Sequence, residues 1–362
     1  MASHDISREK LLITGVSGYV GFKTLLTSLS RGYAIRALVR KDSHIADLQN
    51  RSAAVAAALK SGQLEVAIVP DFLDKGAIYT ALQGVTVLIH IASPLAVQTE
   101  KYHEEIIQPA ISMVTTFLEA AVRVPTVRRV VVTSSMVTLI PFEWNASPDS
   151  ERVYSSMDLN TTLSTPPTSP MHAYWISKAL ARLATRNFIK THAPHFDYVN
   201  ILAGVIIGPD DRLIPSHTNK PTTADLLVGT RASVFAPLLG KEASAPFPYV
   251  DVPVHVADVA KAHVDAVDVT RVPGNSEFIL ASDAAQGGVV WERDARAVAR
   301  KNFPSEVESG VFSMEGSLET IRWRVDTSET ERVFGWEHVG FEETMGGLIG
   351  QYLEIRRLER GE

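Results

Sequence analysis

The sequence predicts an α/β chain built on a doubly wound parallel sheet, with a smaller lobe toward the C-terminus. Three observations predict it. Apolar, β-rich runs alternate with helical patterns through the first two-thirds of the chain, as strands joined by crossover helices require. Those runs are nearly continuous in apolar character, which suits strands covered on both faces. The first of them ends in the glycine-rich turn Thr14-Gly15-Val16-Ser17-Gly18-Tyr19-Val20-Gly21, directly before a helical pattern.

In chain order, the strands are expected at 11–14, 34–39, 64–69, 85–91, 130–134 and 199–205. The helices between them are expected at 21–30, 45–60, 75–81, 104–122 and 171–191. Residues 147–170, rich in Ser, Thr and Pro, lengthen the link into the last of these helices. Residues 212–248 carry several prolines among hydrophobic clusters and read as part of a second lobe. A final helix at 347–357 ends in basic residues, as the helix dipole favours. The division is therefore a dinucleotide-binding domain at 1–203, with a returning segment at about 250–285, and a lobe made of 204–249 and 286–362.

Composition narrows the function. The 362 residues are 45% hydrophobic and 21% charged, ordinary for a globular chain with a large core. A formal net charge of −6 argues against nucleic acid as a partner, because phosphate backbones need a net basic face. The absence of cysteine excludes disulfides, thiolate zinc sites and thiol nucleophiles. The polar N-terminus holds no secretory hydrophobic region, and no apolar run approaches the ~20 residues that span a bilayer. A cytoplasmic location is expected, with no membrane partner. His192 and His195 lack the further ligands a metal needs, so no metal is expected.

The glycine turn carries the first chemical signal. Glycine permits a tight turn and a close approach of backbone to phosphate, and the helix start supplies N–H donors and positive potential. Dinucleotide binding is the expectation, with Gly15, Ser17, Gly18, Tyr19, Val20 and Gly21 forming the turn. The second strand ends in Arg40-Lys41, where a site selective for NAD carries an acid for the ribose diol. A guanidinium there suits a 2′-phosphate, so Arg40, helped by Lys41 or His44, points to NADP(H).

The second signal is Tyr174 and Lys178. Four residues are about one helical turn, so a helix places phenol and ammonium on one face. A fixed positive charge beside a phenol lowers its pKa and readies it for proton exchange near neutral pH. The bland reading is a packed ring beside a solvated amine, and the motifs around the pair decide against it. His90, His255 and His263 lie in apolar segments and read as packing residues, and Asp210-Asp211 as a loop feature. Trp175 points along the next helical direction and is expected to pack.

Gly15-x-x-Gly18-x-x-Gly21, Arg40, Asp71-Phe72, His90-Ile-Ala-Ser-Pro94, Thr133-Ser-Ser135 and Tyr174-x-x-x-Lys178 occur together, followed by the segment 254–263. In this set the chain resembles the extended short-chain dehydrogenase/reductase (NAD-dependent epimerase/dehydratase) superfamily, a Rossmann fold. Within it, it is similar to the dihydroflavonol-reductase and cinnamoyl-CoA-reductase-like branch that includes fungal NADPH-dependent ketone and aldehyde reductases. The resemblance implies that Asp71 meets the adenine amino group with Phe72 beside the ring, and that Ala92 and Ser93, with Thr133, lie along the cofactor. It implies that Ser135 holds a substrate carbonyl oxygen, that Tyr174 protonates it, and that Lys178 binds the nicotinamide ribose and depresses the tyrosine pKa.

Three positions depart from the branch: His44 where it often has lysine, Ala203 where it usually has proline, and a longer 147–170 link. The expected activity is NADPH-dependent reduction of a ketone or aldehyde, on a polyketide-like or other secondary-metabolite carbonyl, by a monomer or homodimer. A nucleotide-sugar epimerase or dehydratase, or a 3β-hydroxysteroid-type dehydrogenase, shares the triad. The sugar-nucleotide reading needs a basic diphosphate clamp in the second lobe, and no arginine–lysine cluster is evident in 95–103 or 212–247. A regulator that only senses NADP would have no use for a proton donor.

Overall fold

The computed structural model describes residues 8–94, 97–146, 151–160, 166–216 and 219–361. Strands β1 (Lys10–Thr14), β2 (Ala34–Val39), β3 (Leu64–Ile68), β4 (Val87–His90) and β5 (Arg129–Ser135) lie side by side in the order β3-β2-β1-β4-β5. Asp197–Ala203 and then Ser276–Leu280 extend the sheet beyond β5 to seven strands. Every pairing in it is parallel. The order reverses at β1, so the connections leaving β1 and β4 part there and open a crevice at the carboxyl ends of the strands.

Alternation along each strand loads both faces. Leu11 and Ile13 of β1 join one core with Phe22, Leu25 and Val259, while Leu12 joins another with Leu88, Phe117 and Phe188. The first face is covered by α1 (Tyr19–Ser30), by α3 (Ala53–Ser61), which follows α2 (Ser43–Arg51), and by Val256–Asp265. The second is covered by α4 (Lys75–Ala81), α5 (Gln108–Val122) and α6 (Pro170–His192). A separate core unites Val205, Phe235, Trp291, Phe312, Leu348 and Tyr352 in the smaller C-terminal region.

The final helix runs over Phe341–Arg360 instead of 347–357, and three other expected elements are interrupted, each for an identifiable reason. The helix expected at 45–60 is two helices, because Ser52 takes an extended φ of −152° and its hydroxyl caps α3 through Val55 N. The helix expected at 104–122 begins as a π turn at His103–Ile107, where Gln108 N donates to His103 O. Pro109 follows, and its missing N–H removes one regular helical bond at that point. The strand expected at 199–205 stops at Ala203: Gly204 N still donates to Leu280 O at 2.9 Å, but Val205 N crosses to Val252 O at 2.8 Å. Val205–Ile207 then pairs with Pro253–His255 in a ladder of its own. No helix among the described residues is long and apolar enough to cross a membrane.

Candidate active site

The register sets the candidate residues in a row. Thr14 lies opposite Leu38 and His90, His90 opposite Val132, and Ser135 opposite Ala203. The glycine turn, Arg40, residues 92–94 and Ser135 therefore leave the sheet at the same edge.

Gly15 leaves β1 with φ +77°, and a Cβ on it would lie 3.0 Å from Ala92 N. Gly18 N donates to Gly15 O at 2.9 Å, and a Cβ on Gly18 would meet only that oxygen, at 3.3 Å. A Cβ on Gly21 would overlap the Gly15 carbonyl, so the third glycine lets α1 pack against the turn. A tight turn, an open face and a close helix approach are the three demands of a pyrophosphate-binding turn. The residues present fit a dinucleotide. Val20 packs on the core beneath, and Tyr19 turns away to donate its hydroxyl to Gly208 O at 2.7 Å.

Arg40 and Lys41 follow β2 and are exposed, with His44 half-buried in the first turn of α2. Asp71 is exposed and its Oδ1 accepts from Leu73 N at 2.9 Å. Phe72 is buried, its ring edge-on to Phe117 at 5.8 Å between centroids. Only Asp71 of that pair faces solvent, because the phenyl ring is better buried in the core.

Helix α6 presents the second group. Ser169 caps it through His172 N, Pro170 takes a first-turn position that needs no N–H donor, and Trp175 anchors it by donating to Ile140 O at 2.9 Å. Tyr174, Lys178 and Arg182 follow one another at turn spacing on its inner side. The Ser135 hydroxyl, at the end of β5, acts on the Tyr174 phenol and favours its ionised form. Lys178 is buried, donates to Ser93 Oγ at 3.0 Å, and lies 5.6 Å from the Tyr174 ring centroid.

The electrostatics differ from the expectation of a depressed phenol. Burial pushes Tyr174 up to about 12, against the smaller opposing effect of the Ser135 hydroxyl. Lys178 does not offset this, because its ammonium is turned to Ser93 and stands over the ring. Burial also pushes Lys178 down to about 8. The resting pair is thus a protonated acid beside an ammonium that titrates close to physiological pH.

Two histidines fasten this framework in neutral form. His90 Nδ1 is 3.1 Å from Thr14 Oγ1, which also accepts from Ile91 N and Ala92 N at 3.0 Å each. Burial, with help from the Lys178 charge, pushes His90 down to about 3. His263 Nδ1 donates to Val259 O at 2.7 Å, so its Nε2 accepts from the Thr133 hydroxyl at 2.7 Å. Burial pushes His263 down to about 4. The Thr133 hydroxyl proton is therefore committed to His263, a role the motif alone did not suggest. His255 caps the helix Val256–Asp265 by accepting from Ala257 N.

Sequence reasoning missed a cluster at the glycine turn. Asp210, read as a loop feature, is fully buried and takes Arg212 Nη2 and Arg231 Nη1 on Oδ2, each at 2.6 Å. Arg212 Nη1 also donates to Ser17 O at 3.2 Å. An aspartate two residues before an arginine was a legible turn signal, but Arg231 joins only through the fold. Among the described residues of the long link, Ser156 O and Asp158 O accept from Arg182, so this segment is fastened to α6. Residues 147–150 and 161–165 of that link, and 95–96 of the loop after β4, lie outside the described residues. No group of three or more metal-ligating side chains occurs among the described residues.

Several known proteins similar to this chain are reductases. A ketoreductase of Cercospora nicotianae (CTB6) is 29% identical over 97% of this chain and 97% of its own. Aldehyde reductase 2 of Sporidiobolus salmonicolor is 27% identical over 94% of this chain and 95% of its own. The yeast methylglyoxal/isovaleraldehyde reductase Gre2, solved with NADPH, superposes with a TM-score of 0.77 at 19% identity, over 96% of this chain and 99% of its own. The NAD dependent epimerase/dehydratase family matches residues 11–278, which include the glycine turn, the sheet and both members of the Tyr174–Lys178 pair, and the chain belongs to that family.

Proposed function

We propose that this protein reduces a ketone or aldehyde to the alcohol with NADPH. One observation carries the reading: the Ser135 hydroxyl acts on the Tyr174 phenol, one helical turn from a buried ammonium, at the sheet edge where the glycine turn opens. The similarity over nearly the full chain to a fungal ketoreductase and a fungal aldehyde reductase supports it. So does the NADPH bound by the yeast reductase of the same fold.

NADPH, when bound, supplies the hydride that goes to the carbonyl carbon. Gly15, Ser17, Gly18, Tyr19, Val20 and Gly21 shape the turn for its diphosphate. Arg40 and Lys41 meet the 2′-phosphate, Asp71 the adenine, and Ala92, Ser93 and Lys178 the nicotinamide side. Ser135 donates to the substrate oxygen and orients it. Tyr174 gives that oxygen its proton as negative charge develops there. A phenol raised to about 12 is fully protonated at neutral pH, which suits the reductive direction. Lys178 places positive charge behind the transfer.

The lobe formed by 204–249 and 286–362 is assigned to the substrate side. Its arginines Arg212 and Arg231 stand against Ser17 and Tyr19 of the glycine turn and form no second clamp, which weighs against a nucleotide-sugar diphosphate and for a neutral carbonyl compound. The ketoreductase and aldehyde reductase among the relatives favour a ketone or aldehyde, and the resemblance to their branch favours a polyketide-like carbonyl of secondary metabolism.

The direct test follows NADPH oxidation with a panel of ketones and aldehydes. If no carbonyl compound accelerates it, the reading fails. Arg40→Ala is expected to raise the KM for NADPH by ~10–100-fold, since a charge-assisted hydrogen bond contributes ~1.5–3 kcal/mol, with NADH little affected. An unchanged preference between the two cofactors would remove Arg40 from the phosphate site. The pH profile offers a second check. Lys178 is lowered to about 8, so its charge is present below that value and is lost as pH rises through it. The kcat/KM of reduction, which reports the free enzyme, should fall above that point, and Lys178→Arg should move the break upward. A profile flat from about pH 7 to 10 would rule out this role for Lys178.

A further inference from the structure

We infer that Arg212 is a positioning residue for the glycine turn, coupling cofactor binding to the seating of the second lobe; this rests on the cofactor reading proposed above. After Val205–Ile207 the chain crosses the turn, where Gly208 O accepts the Tyr19 hydroxyl at 2.7 Å. Asp210 then ties this crossing to the C-terminal helix Phe341–Arg360. Its N donates to Gln351 Oε1 at 2.7 Å, and Gln351 Nε2 donates to its O at 2.9 Å.

The Asp210 carboxylate, fully buried, fixes the two guanidiniums. Arg212 grips both its oxygens, Nε to Oδ1 at 2.9 Å and Nη2 to Oδ2 at 2.6 Å. That fork leaves Nη1 aimed at Ser17 O, 3.2 Å away. Arg231 is held by Asp210 and by its own bond to Leu226 O at 2.7 Å, and its guanidinium lies 4.4 Å from the Tyr19 ring centroid. Segments far apart in the chain thus converge on Ser17 and Tyr19, inside the turn that would carry the diphosphate.

The charges do not balance. Lys23 and Asp211 neutralise each other at 2.8 Å, but two guanidiniums face the single Asp210 carboxylate. One unit of positive charge is left against the turn, with the Arg212 side chain 20% exposed. A partly buried excess charge is costly unless an anion stands near it. The diphosphate of a dinucleotide is an anion of the right chemistry at this place. Its binding and the seating of residues 208–216 and 219–231 should therefore stabilise each other, and the coupling must be reciprocal.

The test uses the full-length protein, with NADP+ as the probe. Calorimetry measures NADP+ affinity for wild type, Arg212→Met and Arg212→Lys. Hydrogen exchange across 208–216 is followed with and without NADP+. Arg212→Met is expected to weaken NADP+ by ~5–150-fold, the usual range for coupled sites. Arg212→Lys should recover part of the affinity. NADP+ should slow exchange over 208–216 in wild type and not in Arg212→Met. Equal NADP+ affinity in wild type and Arg212→Met overturns the inference, as does equal NADP+ protection in both. If Arg212→Met does not fold, wild-type affinity and protection in Arg212→Lys, which keeps the charge but loses the fork, overturn it instead. A wild-type protein that binds no NADP+ overturns the cofactor reading itself.

Discussion

Tyr174→Phe is expected to lower kcat for carbonyl reduction by ~10²–10⁴, the usual worth of a positioned general acid. The substitution removes one oxygen and little else. Phenylalanine keeps the ring on which Lys178 rests, and α6 retains its Ser169 cap and the Trp175 anchor. NADPH affinity should stay close to wild type, because no phosphate contact is assigned to the phenol. Steady-state rates with one competent carbonyl, together with NADPH binding by fluorescence, separate the two effects. A variant that reduces as fast as wild type would show that the proton comes from elsewhere. Ser135→Ala should also slow the reaction. The double variant should lose less than the product of the two single losses, since both hydroxyls serve one oxygen.

Glu277→Leu is expected to cost ~3–5 kcal/mol of folding stability, the penalty for removing one partner of a buried ion pair. Glu277 lies in the edge strand Ser276–Leu280 and accepts from Arg182 Nε at 2.8 Å, Arg186 Nε at 3.0 Å and Asn200 Nδ2 at 2.8 Å. Burial alone would raise its carboxyl, yet the Arg186 and Arg182 guanidiniums hold it below the usual carboxylate range. A depressed carboxyl adds stability above its unfolded pKa, and that contribution is lost as pH falls through the folded value. The urea midpoint of Glu277→Leu at neutral pH tests this, and an unchanged midpoint would refute it. Arg182 stands one turn beyond Lys178 and holds Ser156 O and Asp158 O, so protease should also reach residues 151–160 faster in the variant.

The fold was legible because its signals are local. β1 alternates Leu11 and Ile13 against Leu12, and a one-residue slip would exchange its two cores. Gly15 and Gly21 stand where a side chain would be strained or would overlap backbone, so the turn could be read from residue type. The failures were confined to single positions, at Ser52, Pro109 and Val205. There a cap, a missing N–H and a change of hydrogen-bond partner overrode a continuous apolar pattern. In the candidate site, the spacing of Tyr174 and Lys178 predicted their shared face, and the run 133–135 placed Ser135 at a strand end.

Charge and partnership were not legible, because both depend on groups far apart in the chain. Spacing suggested that Lys178 would acidify Tyr174. The packed α6 instead turns that ammonium to Ser93 and buries the phenol, so desolvation outweighs attraction. The Thr133 hydroxyl is claimed by His263, and Asp210 gathers arginines that no motif connects. The sequence alone determined the sheet, the glycine turn and the presence of a phenol, a hydroxyl and an amine near one strand edge, since these follow from periodicity and steric need. The protonation state of each group, the direction its donor points and the seating of the second lobe on the turn came only with three-dimensional packing. Dielectric environment and long-range ion pairing are properties of the folded volume, and no window of sequence contains them.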